Sequence, residues 1–128
     1  MDILIPAALE GAINCTNVGD VRAVLVIEAA NMPVTHMADD ALRDAGVVIV
    51  PDVLANAGGV VASYFEWVQN IQQYPWTRGQ VIERLERRLE QAYQKTCQSA
   101  EADHTDIRTA AYRLAVNSTL RAVELRGF

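Results

Sequence analysis

Three short segments hold the residues whose types and spacing could do chemistry. The richest is Pro51-Asp52-Val53-Leu54-Ala55-Asn56-Ala57-Gly58-Gly59-Val60. Asn56 stands where a helix N-cap would be, and Gly58 and Gly59 follow it in the first turn. Glycines there cost a helix about 1 kcal/mol each relative to alanine. They make sense if something must approach that backbone closely. A helix N-terminus also offers free N–H groups and partial positive charge, which suit an anionic or amide ligand. Asn56, Val60 and Ser63 fall at i, i+4 and i+7 and so share a face. That face would give one side of a cleft a carboxamide, a small apolar wall and a hydroxyl. A plain capped loop, with Ser63 bonded to its own helix backbone, fits the same residues, and from the residues alone both readings stand.

The other two segments are Pro6-Ala7-Ala8 and Glu28-Ala29-Ala30-Asn31-Met32-Pro33. The second also reads as a simple turn before Thr35. Beyond these, little suggests catalysis. Ser63 has no evident His and acid partners, so a hydrolase triad is a weak reading. No Gly-x-Gly-x-x-Gly and no Walker-type loop occurs. Cys15 and Cys97 are far apart and read as reduced thiols of a cytoplasmic protein. His36 and His104 have no Cys or His at ligand spacing, which predicts surface or near-surface side chains and no metal site.

The elements that must position these segments follow from the apolar pattern. Ile3-Leu4-Ile5, Val24-Leu25-Val26-Ile27 and Val47-Val48-Ile49-Val50 are continuous runs rich in β-branched residues. Strands buried on both faces of a parallel sheet read this way. Between the second and third runs, Met37, Ala38, Ala41, Leu42 and Ala45 recur at helical spacing over 35–45, and Gly46 supplies a stop. Residues 24–50 thus read as strand, helix, strand. The stretch 9–21 reads as a short helix or loop. After Asp52 the character becomes helical. The spacing predicts a helix over about 57–72, a second opening at Thr77 with Gln80 in capping-box position, and a third starting near Thr105 or Asp106. The fold class is α/β with about three parallel strands and trailing helices. At least one sheet edge would be open, which points to missing cover or a partner chain. In all three strands, the candidate segments lie beyond the C-terminal end, where open α/β sheets bind ligands.

Composition narrows the partners. The 128 residues fit one domain, with 1–56 as a half sheet and 57–128 as the helical part, and half of them are apolar, enough for a core. A net charge of −5 argues against nucleic acid. No apolar run is long enough to cross a bilayer, so no membrane partner is expected.

At this point the residues resemble a known family. Ala55-Asn56-Ala57-Gly58-Gly59-Val60 followed by Ser63-Tyr64-Phe65-Glu66-Trp67-Val68-Gln69-Asn70 looks like the signature of glutamate dehydrogenases, within the Glu/Leu/Phe/Val dehydrogenase family. Leu4-Ile5-Pro6-Ala7-Ala8, Glu28 through Thr35, Trp76, and Arg108-Thr109-Ala110-Ala111-Tyr112 are similar to it too, in order and across nearly the whole chain. Ala29 departs from the glycine common there. The resemblance implies the second half of a Rossmann-like nucleotide-binding domain followed by C-terminal helices. It implies that Asn56 holds the carboxamide of NAD or NADP, and that Asn31 and the backbone around Ala7 line its ribose side. Val60 and Ser63 would face L-glutamate or 2-oxoglutarate, with Ser63 bonding the side-chain carboxylate. It also implies a homo-oligomer. The family's catalytic lysines and glycine-rich phosphate turn belong before Met1. The chain alone is therefore expected to carry no catalytic residue, to bind cofactor weakly and to be inactive. Two other readings compete: a non-catalytic binding module or subunit derived from the family, and an enzyme of another class that reuses Ser63 or Asp52.

Overall fold

The computed structural model describes residues 2–127. Strands β1 (Ile3–Leu4), β2 (Leu25–Ile27) and β3 (Val48–Val50) form one parallel sheet in the order β1-β2-β3. The register aligns Leu4 with Val26 and Val26 with Ile49. That row is the core face. Together with Ile13, Val34, Ala38 and Leu42 it makes a continuous apolar cluster in which Val26 and Ala38 are fully buried. Helix α1 (His36–Asp44) supplies the crossover that a parallel β2–β3 pair requires. Thr35 precedes it in extended geometry, and Gly46 follows at φ +79°, a left-handed turn that a side chain would resist.

The opposite face of the sheet corrects the expectation of two-sided burial. Ile3 and Val48, in register with Leu25 on that face, remain about half exposed. The reason lies in the cover. Helix α5 (Ile107–Leu125) packs on β3, so the runs are apolar on both faces but fully enclosed on one. A second correction concerns α1: Met37 is exposed, whereas Asp39 turns inward and is buried.

The stretch from Leu9 to Val21 is a loop with a 3-10 turn at Val18–Asp20. An isolated parallel bridge between Ile13 and Val34 anchors it, and the Asn14 and Asn17 side chains satisfy its backbone. The third part is helical. A single turn, α2 (Asp52–Ala55), leads into α3 (Gly58–Gln72), then α4 (Arg78–Ala102) and α5. The capping box at Thr77 forms with both of its hydrogen bonds. Asp106 caps α5 by accepting the Thr109 N–H at 2.9 Å. Between α3 and α4, Phe65 meets Trp76 at 5.5 Å between ring centroids, and the Arg84 guanidinium lies 4.2 Å over the Trp76 ring.

Candidate functional site

The three strand ends open into one cleft of about 760 Å³. Its first wall is Ala7 to Glu10 after β1. Its second is Ala29, Ala30 and Asn31 after β2. Its third is Asn56, Gly59, Val60 and Ser63, from the α2–α3 junction and the start of α3. All five residues singled out by sequence (Ala7, Asn31, Asn56, Val60 and Ser63) thus line the same space. Cross-bonds hold the walls at their spacing. The Pro6 carbonyl accepts the N–H groups of Ala29 and Ala30 at 3.1 and 2.9 Å, tying the β1 end to the β2 end. The Asn56 Nδ2 donates to Asn31 Oδ1 at 2.7 Å, tying the β2 end to α3.

That last bond corrects the expected role of Asn56 as an N-cap. The extra turn α2 intervenes, Ala57 stands at the N-cap of α3, and Asn56 closes α2 without capping through its side chain. Its carboxamide is therefore free to reach Asn31. The paired glycines also divide. A Cβ on Gly58 would meet Leu89 at 3.5 Å and Leu85 at 4.0 Å, ordinary contacts on α4, so Gly58 faces helix packing rather than a ligand. A Cβ on Gly59 would meet nothing within 4 Å, and Gly59 lines the cleft.

The cleft is chemically quiet. Glu10 is the one titratable side chain among its lining residues, and the single lysine, Lys95, borders a separate groove between α2, α4 and α5. Small side chains at Ala7, Ala8, Ala29, Ala30 and Gly59 leave backbone within reach of a ligand. The Asn pair leaves the Asn56 oxygen and the Asn31 amide nitrogen without a mutual bond. One acceptor and one donor therefore remain on the pair for a ligand.

Behind the cleft lies a feature that sequence reasoning missed. Glu28, Asp39 and Asp52 are buried side chains from β2's end, α1 and α2. Arg108, in the first turn of α5, serves them together. Its Nη2 donates to Glu28 Oε1 at 2.8 Å and to Asp39 Oδ1 at 2.8 Å, its Nε reaches Asp39 Oδ1 at 3.0 Å, and its Nη1 lies 3.8 Å from Asp52 Oδ1. Arg43 completes the set from α1, with Nε 3.0 Å from Asp39 Oδ2 and Nη1 3.2 Å from Asp106 Oδ2. Burial alone would lower the Arg108 pKa, but the hydrogen bonds and charges of Glu28 and Asp39 outweigh it and raise the guanidinium above its usual range. Burial also works against the charged form of Asp106, yet its bonds from Thr109 and the Arg43 charge hold its carboxyl below the usual value. The one trace in the sequence was the place of Glu28 and Arg108 in the motifs that carry the resemblance; nothing local pairs residues 80 apart.

Comparison with known proteins decides the relationship. The sequence pattern described as Glutamate/Leucine/Phenylalanine/Valine dehydrogenase matches residues 1–127. The chain belongs to that family. It is 49% identical over 128 residues to an NADP-specific glutamate dehydrogenase A1 of Halobacterium salinarum, covering 99% of this chain and 31% of that enzyme. It is 44% identical over 127 residues to an NAD-specific glutamate dehydrogenase of Staphylococcus aureus, covering 99% and 31%. The solved hetero-hexameric glutamate dehydrogenase of Thermus thermophilus superposes with a TM-score of 0.95 at 36% identity, over 99% of this chain and 30% of that one. The chain thus spans about a third of the length of the dehydrogenases it matches. The α/β class expected from the strand runs, and the Rossmann-like character that the resemblance implied, are those of the dehydrogenase family. Among the described residues no helix is long and apolar enough to cross a membrane.

Proposed function

We propose that this chain forms the nicotinamide- and substrate-facing wall of an NAD(P)-dependent glutamate dehydrogenase. The reaction would convert L-glutamate to 2-oxoglutarate and ammonia. The observation that carries this reading is the convergence of Ala7, Asn31, Asn56, Val60 and Ser63 on one cleft at the strand ends. The residues fit the cofactor's amide end. The free Asn56 oxygen and Asn31 amide nitrogen complement the N–H and C=O of a carboxamide, and the alanines near Ala7 and Ala29 let a ribose lie against backbone. Ser63, on the exposed rim of the same helix face, would donate to the side-chain carboxylate of glutamate, with Val60 as its apolar neighbour. Bound NAD or NADP would supply the hydride acceptor; this chain's own part is to orient it and the substrate.

The wall is not sufficient for turnover. The cleft has no lysine and no acid–base pair, so the chain alone is expected to show no glutamate-dependent reduction of NAD. Turnover by the purified chain would overturn that statement. The binding reading is tested by titrating the ¹⁵N-labelled chain with NAD and following its amide signals. Perturbations should cluster at residues 7–10, 29–31 and 56–63, and Asn56→Ala should abolish most of them. Signals that move elsewhere, or none at millimolar NAD, would reject the assignment. In the working enzyme the chain would act in the cytoplasm, within a homo-oligomer.

A second reading is a binding module or subunit. Val60, Tyr64, Trp67 and Ile71 form an exposed apolar row along α3 that nothing among the described residues covers. Sedimentation would discriminate, since a stable monomer counts against any scheme in which a partner of the same kind covers that row.

A further inference from the structure

The strongest unassigned feature is the charge network behind the cleft, because it connects to the cleft through an unbroken chain of bonds. Arg108 holds Glu28 Oε1 at 2.8 Å. The other oxygen of Glu28 accepts the Asp52 N–H at 2.9 Å. Asp52 Oδ2 in turn accepts the Met32 N–H at 2.8 Å, while its Oδ1 accepts the N–H of Val53 at 2.7 Å. Met32 sits at φ +44°, a left-handed conformation that a residue with a Cβ adopts only when its surroundings impose it. Its neighbour Asn31 makes the bond to Asn56. Every link is therefore a named hydrogen bond or a peptide bond, running from α5 to the two carboxamides in the cleft.

We propose that Arg108, acting through Glu28 and Asp52, is a positioning residue that sets the Met32 turn and with it the Asn31–Asn56 pair. The network does more than join the halves. Both Asp52 oxygens accept backbone N–H groups, so its charge and orientation are specified rather than merely compensated. Glu28 is fully buried and joins Arg108 to Asp52 with one oxygen for each. If Arg108 is removed, the buried Glu28 loses its counter-charge and one of its two hydrogen-bond partners, and its hold on the Asp52 N–H is no longer fixed from the other side. The expected result is a shift of the Asp52 carboxylate, which releases the Met32 N–H and lets the strained turn relax. The consequence reaches the cleft as a displaced Asn31. The functional part of the proposal rests on the nicotinamide reading above; the structural part does not.

The test uses the full chain, ¹⁵N-labelled, without and then with NAD. In Arg108→Ala the Met32 N–H and the side-chain amides of Asn31 and Asn56 should shift, and NAD affinity should fall about tenfold, the loss expected when an aligned donor–acceptor pair is misplaced. Arg108→Lys keeps the charge and should restore affinity to within about threefold, while still shifting the Met32 signal in the same direction. Asp52→Asn cannot accept both N–H groups and should move Met32 or Val53 directly. Arg113→Ala is the control. Arg113 lies on the same helix and pairs with the exposed Asp103 at 2.7 Å, so its loss should leave all these signals in place. Folded Arg108→Ala with Met32, Asn31 and Asn56 at wild-type positions overturns the proposal. Should that variant not fold, Arg108→Lys decides by the same signals. Because the shifts are read before cofactor is added, a wild-type chain that fails to bind NAD rejects the nicotinamide reading and leaves this test intact.

Discussion

The sheet half and the helical half of this chain bury their apolar residues very differently. Under β2, Val26, Ala38 and Leu42 are almost wholly enclosed, and each touches the same cluster. In the helices, the buried apolar residues are Phe65, Ala100, Ala110 and Ala111, mostly small. Their large apolar residues, including Tyr64, Trp67, Ile71, Val116, Leu120 and Leu125, stand more than half exposed. The difference teaches which part carries its own stability. The sheet half closes a core on one face, whereas the helices lean on it through the α5–β3 contact and the Arg108 network.

Substitutions can break or sharpen that contrast. The largest loss should come at the strap between the halves. Arg108→Ala strands the fully buried Glu28 and should cost about 3–5 kcal/mol in urea unfolding followed by circular dichroism. A loss under 1 kcal/mol would mean that the halves are joined by packing alone. Leu42→Ala, inside the sheet-half core, should cost about 2–5 kcal/mol by the same measurement. Thr77→Ala removes one arm of the capping box and should cost about 1 kcal/mol. Leu120→Ala, on the bare end of α5, should change stability by less than about 0.5 kcal/mol. A larger effect there would show that the exposed helix surface is covered in solution, and would bring the two halves level.

The pH dependence bears on the junction as well. The Asp106 carboxyl is held below its unfolded value, so its contribution is present above the unfolded pKa of about 3.9 and fades as pH falls through the lower folded value. Wild type should therefore lose stability more steeply than Asp106→Asn below about pH 4. Parallel curves in acid denaturation would remove Asp106 and its Arg43 partner from the junction.

Much of this was legible from sequence, for reasons that can be traced to particular residues. β-branched runs marked all three strands to within a residue or so, because continuous Ile, Leu and Val bounded by Pro, Gly or polar residues suit a buried parallel strand. Thr77 with Gln80, and Asp106, marked helix starts because a cap needs only local chemistry. The cleft residues were named through motif spacing, which survives any error in element boundaries. What escaped were long-range facts. The single turn α2 was not separated from the helix expected over about 57–72, and Asn56 was assigned to capping because its partner Asn31 lies 25 residues earlier. Glu28 and Asp52 stand out in the sequence only as members of strand-end segments, Asp52 also as a reusable catalytic acid, and Asp39 not at all; none reads as buried, since only the arrival of Arg108 from 80 residues beyond Glu28 makes their burial tolerable. The bare sheet face could not be read from runs that are apolar on both sides.

The contact at Trp76 has one more consequence, an optical one. The chain holds two indoles in opposite settings: Trp67 faces solvent on α3, while Trp76 is part-buried between Phe65 and a guanidinium. Solvent relaxation should therefore red-shift emission from Trp67 and leave that of Trp76 bluer. Trp67→Phe isolates the inner emitter, whose colour reports the α3–α4 corner. Trp76→Phe isolates the outer one, whose colour changes only when something settles on the exposed row.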